Sequence, residues 1–258
     1  MPRFDHAVVV VPSLAWAVPA FESAGFTVRP GGRHDAVPTE NALVCFADGG
    51  YLELLATREP GTRDDLRTLR ASHRWEAHLR GVSAIARRFL PLLAGADGVA
   101  DWVLRSDGIA RDAARLRAAG LVVSGPVAMS RERPDGERLD WQLLLPESAL
   151  HPFRIEDRTP RSRRVPADDS SVRHANGARG VAVVHVRAPI VPLAALELGG
   201  TLGVTPAVRA DGATALDLGD WSVQLTEGEP PGAFGVTIVG VGELPGTLTA
   251  LGIRVLPG

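Results

Sequence analysis

Lysine is absent: all 28 basic residues of this 258-residue chain are arginine. Schiff-base chemistry on a lysine amine is therefore excluded from the outset. Cysteine is nearly absent too. The single Cys45 lies in the apolar run Ala42-Leu43-Val44-Cys45-Phe46, so no intrachain disulfide can form and the thiol reads as a small buried hydrophobe. No apolar run approaches the length that spans a bilayer, and Met1 leads straight into strand-like sequence without the basic and apolar segments of a secretion signal. A cytoplasmic protein with no membrane partner is expected. Nor is there a basic stripe: 28 basic and 30 acidic residues give a formal charge of −2, and the arginines are scattered, which argues against a nucleic-acid partner.

What is present is core-forming sequence. With 45% hydrophobic residues, the chain can build one large or two modest domains. The segment "HAVVVV" reads as a buried strand, Ser13 as a helix N-cap, and "LAWAVPAFESAG" as a helix ended by Gly25, with Pro19 an awkward residue inside it. "FTVRP" then reads as a strand, Gly31 and Gly32 as a loop, and "NALVCFA" and "YLELLA" as a hairpin about "DGG". The order is β-α-β-β-β. It returns at "GVADWVLRSDGIARDAARLRAAGLVVSGP", followed by "RLDWQLLLP" and "HPFRIED". A third copy runs from "GVAVVHVRAP" to "WSVQLTE", and a fourth, from "FGVTIVGVGELPG", stops after β-α-β. An α+β fold of tandem units follows. Residues 1–157 are assigned to a first pair with a helical connector at 58–96, expected on the outside. Residues 158–173, polar and broken by prolines, read as a linker, and 174–258 as a second, degenerate pair with a truncated last unit.

A repeated unit that opens on "DHAVVVVPS" and closes on "YLEL" resembles the vicinal oxygen chelate superfamily, the glyoxalase I, extradiol dioxygenase and bleomycin-resistance group. "GGRH", "TENALVCFADGGYLELLA", "HPFRIED" and "HANG" are similar to its glyoxalase-like domain group. The resemblance implies paired units whose sheets curve into a cup, helices outside, with up to four metal ligands drawn from the first and last strands of each unit. Carried onto this chain, these are His6, Glu53, Glu156 and Asp101, or Trp102 in place of Asp101 after a slip of one residue. One imidazole with carboxylates suits Fe²⁺, Mn²⁺ or Zn²⁺ and leaves room for a chelating substrate. A metal-dependent lyase, isomerase or dioxygenase would use Glu53 or Glu156 to move a proton.

Each residue also has a plainer reading. His6 can be a hydrogen-bonded core histidine, and Glu53 a solvated residue on the outer face of its strand. Arg33, His34, Glu40 and Asn41 can line the rim of the cup and hold an anionic or carbonyl ligand, or form a solvated loop. His174 and Asn176 can touch substrate or make a turn. The rival function is metal-free binding or sequestration of a small molecule, with Trp102, Trp141 and Phe153 as an apolar lining. The partners expected are that small molecule and, at most, a second copy of the chain.

Overall fold

The computed structural model describes residues 1–34, 37–132, 136–240 and 242–256. The first unit consists of β1 (Arg3–Val10), α1 (Leu14–Ser23), β2 (Arg29–Arg33), β3 (Thr39–Cys45) and β4 (Tyr51–Thr57). Ser13 caps α1 by accepting a hydrogen bond from the Trp16 amide at 3.2 Å. The helix runs through Pro19 because Pro19 and Ala15, whose carbonyl loses its usual donor, both face solvent. Strand β2 starts later than "FTVRP" suggests and contains Gly31 and Gly32, since Phe26 turns into the core.

The connector forms α2 (Thr62–Arg70), α3 (Trp75–Gly81) and α4 (Ala84–Leu93). Contrary to the expected outside position, α4 lies over the cup. Its Ile85 and Leu93 are buried against Val8, Val10, Val103 and Phe153 from the inner face of the sheet. Arginine spacing alone does not reveal this, because the apolar stripe that matters is only one residue in three or four wide.

The second unit is β5 (Gly98–Arg105), α5 (Ile109–Ala118), β6 (Val123–Glu132), β7 (Arg138–Pro146) and β8 (Phe153–Asp157). Strands β1 and β5 pair antiparallel and join the two units into one eight-stranded sheet, ordered β2-β3-β4-β1-β5-β8-β7-β6. The sheet curls into a half-barrel. Its two edge strands approach each other closely enough that a Cβ on Gly32 of β2 would stand 3.0 Å from the Arg131 guanidinium of β6.

Residues 158–173 contain the short helices α6 (Arg161–Arg164) and α7 (Asp169–Val172), which fold back against the first sheet rather than hanging free. The remaining chain forms β9 (Gly180–Ala188), α8 (Val191–Leu202), β10 (Ala207–Val208), β11 (Thr214–Asp217), β12 (Ser222–Glu227), β13 (Gly232–Val239), α9 (Gly246–Ala250) and β14 (Ile253–Val255). Its sheet is ordered β10-β11-β12-β9-β13-β14. One continuous core, including Phe4, Val9, Leu52 and Trp102 from the first sheet and Val184, Val223 and Ile238 from the second, joins the two sheets. Among the described residues no helix is long and apolar enough to cross a membrane.

Candidate functional site

The alternation of β1 sends Ala7 and Val9 into the core shared with the second sheet and Val8 and Val10 into the cup. A register shift between Phe4 and His6 leaves Asp5 as the extra residue of a bulge, so Asp5 and His6 are both buried beside the cup. The His6 Nδ1–H donates to Asp5 at 2.8 Å, and the imidazole stacks on Tyr51 with ring centres 4.4 Å apart. Asp5 is also faced by Arg161 at 3.2 Å and by Arg105 and Arg164 at 3.4 Å. Burial alone would raise the Asp5 pKa, but Arg164 and His6 hold it well below the usual carboxylate range.

With Nδ1 committed, the His6 Nε2 faces Glu53 at 3.5 Å. Glu53 lies on β4 opposite Val8, on the cup face. It also accepts a hydrogen bond from the Asn41 amide, and His34 Nε2 stands 3.9 Å away. Burial would raise the Glu53 pKa, yet the hydrogen bond and charge of His6 bring it down to about 2. Burial likewise works against a charged His6, but Asp5 and Glu53 overcome it and raise the imidazole above its ordinary 6.5. Each group therefore favours the charged form of the other, imidazolium beside carboxylate. These residues form the polar end of a pocket of about 670 Å³, counted out to its open mouth. Ile85, Phe89, Met129, Trp141, Phe153 and Ile155 make its apolar wall, and the guanidinium groups of Arg131 and Arg164 also reach it.

The second unit offers no matching donors. The β1–β5 register pairs His6 with Val103 and Val8 with Asp101, which makes Asp101 the counterpart of His6. Asp101 is held by Arg88 of α4 through two hydrogen bonds of 2.7 Å, and that guanidinium also donates to the carbonyls of Pro146, Ser148 and His151. The alternative, Trp102, is on the opposite face, fully buried against Trp221 and outside the pocket. The counterpart of Glu53 is Phe153, since Val8 pairs with Glu53 as Val103 pairs with Phe153. Glu156 is three residues further on and points away from the cup. Its carboxylate accepts from the Ile109 amide at 2.9 Å, satisfying the first turn of α5 on the outer face.

The structure thus brings together His6, His34, Asn41, Glu53, Trp141 and Phe153. It separates the others. Arg33 and Glu40 pair across β2 and β3 and line a shallow outer groove beside α1. His174 accepts the Thr27 amide on Nδ1 and donates from Nε2 to the Cys45 carbonyl, both at 2.9 Å, so the ring is a neutral clasp, and burial lowers its pKa. Asn176 donates to the Ala24 carbonyl at 2.8 Å and accepts the Ala178 amide, closing a turn against the end of α1. Cys45 is buried and its pKa is pushed up to about 11, as expected of a packing residue. Sequence reasoning misses Asp5, Phe89, Arg131 and Arg164. Only Asp5 carried a signal, its adjacency to His6. The others reach the cup from the connector, the far edge strand and the linker.

Could a metal fit? His6 Nε2 and Glu53 are close enough to share an ion, but the second unit contributes a carboxylate already locked by arginine and a phenyl ring. Among the described residues no group of three or more His, Cys, Asp or Glu side chains is arranged to hold an ion. A four-donor centre does not fit these residues.

The sequence profile of the glyoxalase-like domain matches residues 4–199. No curated protein matches the chain. Among solved structures, a hypothetical protein from Staphylococcus aureus is 18% identical with a TM-score of 0.70, over 93% of this chain and 92% of that one. A xylose isomerase-like TIM barrel/4-hydroxyphenylpyruvate dioxygenase fusion protein is 14% identical with a TM-score of 0.51, over 92% of this chain but only 36% of its own. A mutant of 4-hydroxymandelate synthase from Streptomyces coelicolor is 14% identical with a TM-score of 0.50, over 98% and 75%. At these identities the likeness is one of fold.

Proposed function

This chain belongs to the glyoxalase-like domain family, within the vicinal oxygen chelate superfamily, and from that premise we propose that its first cup binds a small molecule without a four-donor metal centre. The observation that carries this reading is the division of the pocket between the two units. The first unit supplies a polar end, His6, Glu53 and Asn41; the second supplies an apolar wall, Trp141, Phe153 and Ile155, with Phe153 at the position equivalent to Glu53. Such a pocket suits a compact ligand with a flat apolar body and an oxygen-bearing head. The imidazolium of His6 and the guanidinium of Arg131 attract an acid group, and the Glu53 carboxylate favours a head that offers it a hydroxyl or enol hydrogen. Aromatic 2-hydroxy and 2-oxo acids meet both demands. A carboxylate with a pKa of about 2 is a weak base, so Glu53 orients such a head better than it removes a proton.

A second reading, a divalent ion on His6 and Glu53, is favoured by one feature: Asp5 pins Nδ1 and leaves Nε2 as the outward nitrogen, as the outer carboxylate of a metal-bound histidine does. The ion would supply Lewis-acid polarisation of a chelating ligand. Titrating untagged protein with 4-hydroxyphenylpyruvate and 4-hydroxymandelate, by tryptophan fluorescence and calorimetry, separates the readings. Binding that survives chelator treatment and is lost in His6→Ala and Trp141→Ala supports the first. Binding restored only by Mn²⁺, Fe²⁺ or Zn²⁺ supports the second, and no binding of either acid under any condition overturns the ligand class.

A further inference from the structure

A second cleft, of about 820 Å³ counted out to its open mouth, opens at the seam between the first sheet and α8 and shares no lining residue with the cup. It is lined by Arg3, Arg105, Arg111, Arg115 and Arg154, and its acidic side chains are Asp107 and Asp112. The charges do not balance. Asp107 is taken by Arg3 at the rim. Asp112 is shared between Arg154 at 3.1 Å and Arg115 at 3.6 Å. Arg105 leans on Asp5, which two other arginines also use. Arg111 has no hydrogen-bond or ion-pair partner among the described residues. Its guanidinium lies over Gly108, where an added Cβ would stand 2.6 Å from it, so the glycine provides the space it occupies.

A further observation separates this cleft from an ordinary arginine-rich surface. The Arg154 side chain is only 6% exposed, and its Nε is buried without a hydrogen-bond partner. Burial and the neighbouring Arg115 both act against the Arg154 charge, and Asp112 only partly offsets them. A buried cation beside unneutralised cations is a standing cost that a bound anion removes. The amides of Gly108 and Ile109 at the start of α5 are already used, by Ser106 and Glu156, and the donors that line the cleft in number are guanidinium groups, whose forked donors match tetrahedral oxyanions.

We propose that this cleft binds a compact, doubly charged oxyanion, a phosphate or phosphomonoester, through Arg111, Arg115 and Arg154. Because Arg115 also donates to the Thr201 carbonyl of α8 at 2.7 Å, the anion would sit where the two sheets' helices meet. The test is calorimetric titration of the full chain with inorganic phosphate and with glycerol 3-phosphate, chloride being exchanged to hold ionic strength constant. The expected result is saturable binding of one equivalent of at least one probe, weakened about tenfold in Arg111→Ala, equivalent to about 1.4 kcal/mol, and unchanged in Arg131→Leu, which alters the cup. Saturable binding of phosphate identifies the free ion as sufficient; binding of the ester alone identifies a phosphorylated metabolite. Absence of saturable heat with both probes, equal affinity in Arg111→Ala, or loss in Arg131→Leu overturns the assignment.

Discussion

At the scale of single residues, the chemistry of the cup is set by a chain of three titrating groups, Asp5, His6 and Glu53, and their signs can be worked out. The His6 pKa is raised above 6.5 in the folded protein, so its contribution to stability is fully present below that pH and is lost as pH climbs through the folded value. Glu53 is lowered from 4.5 to about 2, so its contribution is present above 4.5 and is lost as pH falls toward 2; Asp5 behaves in the same sense. Stability from this trio should therefore be flat between 4.5 and 6.5 and decline on either side. Urea unfolding across pH checks this, and His6→Gln should remove most of the alkaline decline; an unchanged alkaline limb would show that His6 is not the titrating group. Glycine matters at one position here. A Cβ on Gly31 would lie 2.0 Å from the Asn41 side-chain oxygen, so Gly31→Ala should displace the amide that holds Glu53 and cost about 1–3 kcal/mol by overpacking. Chemical denaturation measures it, and a variant as stable as wild type contradicts the close fit.

At the scale of elements, α4 decides what the second half of the cup can do. Asp101 occupies the position equivalent to His6, and Arg88 makes it part of the wall. Removing one partner leaves a buried charge alone, so Arg88→Met or Asp101→Leu should each cost about 3–5 kcal/mol, while the double variant should recover much of that loss. A thermodynamic cycle in which the two losses simply add would mean the pair is not coupled. The "HANG" segment acts at the same scale. His174→Ala removes the acceptor of the Thr27 amide and the donor to Cys45, and should lower stability by about 1–3 kcal/mol while leaving ligand affinity in the cup unchanged. A selective loss of affinity would restore the substrate-contact role.

The same elements explain what could be read in advance. Strand and helix periodicity exposes the repeated unit, and the resemblance built on it leads to His6 and Glu53, which share one face because strand side chains alternate. Glu156 fails for the same physical reason. Counting from the end of a strand does not give its register, and in β8 the inward residues are Phe153 and Ile155, one step out of phase with Glu156. Arg131 and Arg164 were not legible, since only the curl of the sheet and the return of the linker bring them to the pocket.

At the scale of the whole molecule, the second pair of units has to be judged as packing or as a separable module. Separability would require the outer face of the first sheet to be tolerable in water. It is not built that way. Phe4 and Trp102 meet Trp221 with ring centres 5.5 and 6.0 Å away, and Trp102 is wholly buried although its indole N–H has no partner. His151, in the turn before β8, bonds Glu197 of α8 at 2.7 Å, and the His174 clasp fixes the chain as it passes between the sheets. Deleting residues 174–258 would expose a continuous apolar face far larger than soluble monomers usually carry. A chain of residues 1–173 should therefore bind a hydrophobic dye, associate in solution and lose cooperative thermal unfolding, even though every pocket residue named here is retained. Co-expressing residues 174–258 as a separate chain should restore a cooperative transition if burial of that face is what is missing. A monomeric 1–173 chain that melts cooperatively near the full-length temperature would instead make the first cup an independent domain.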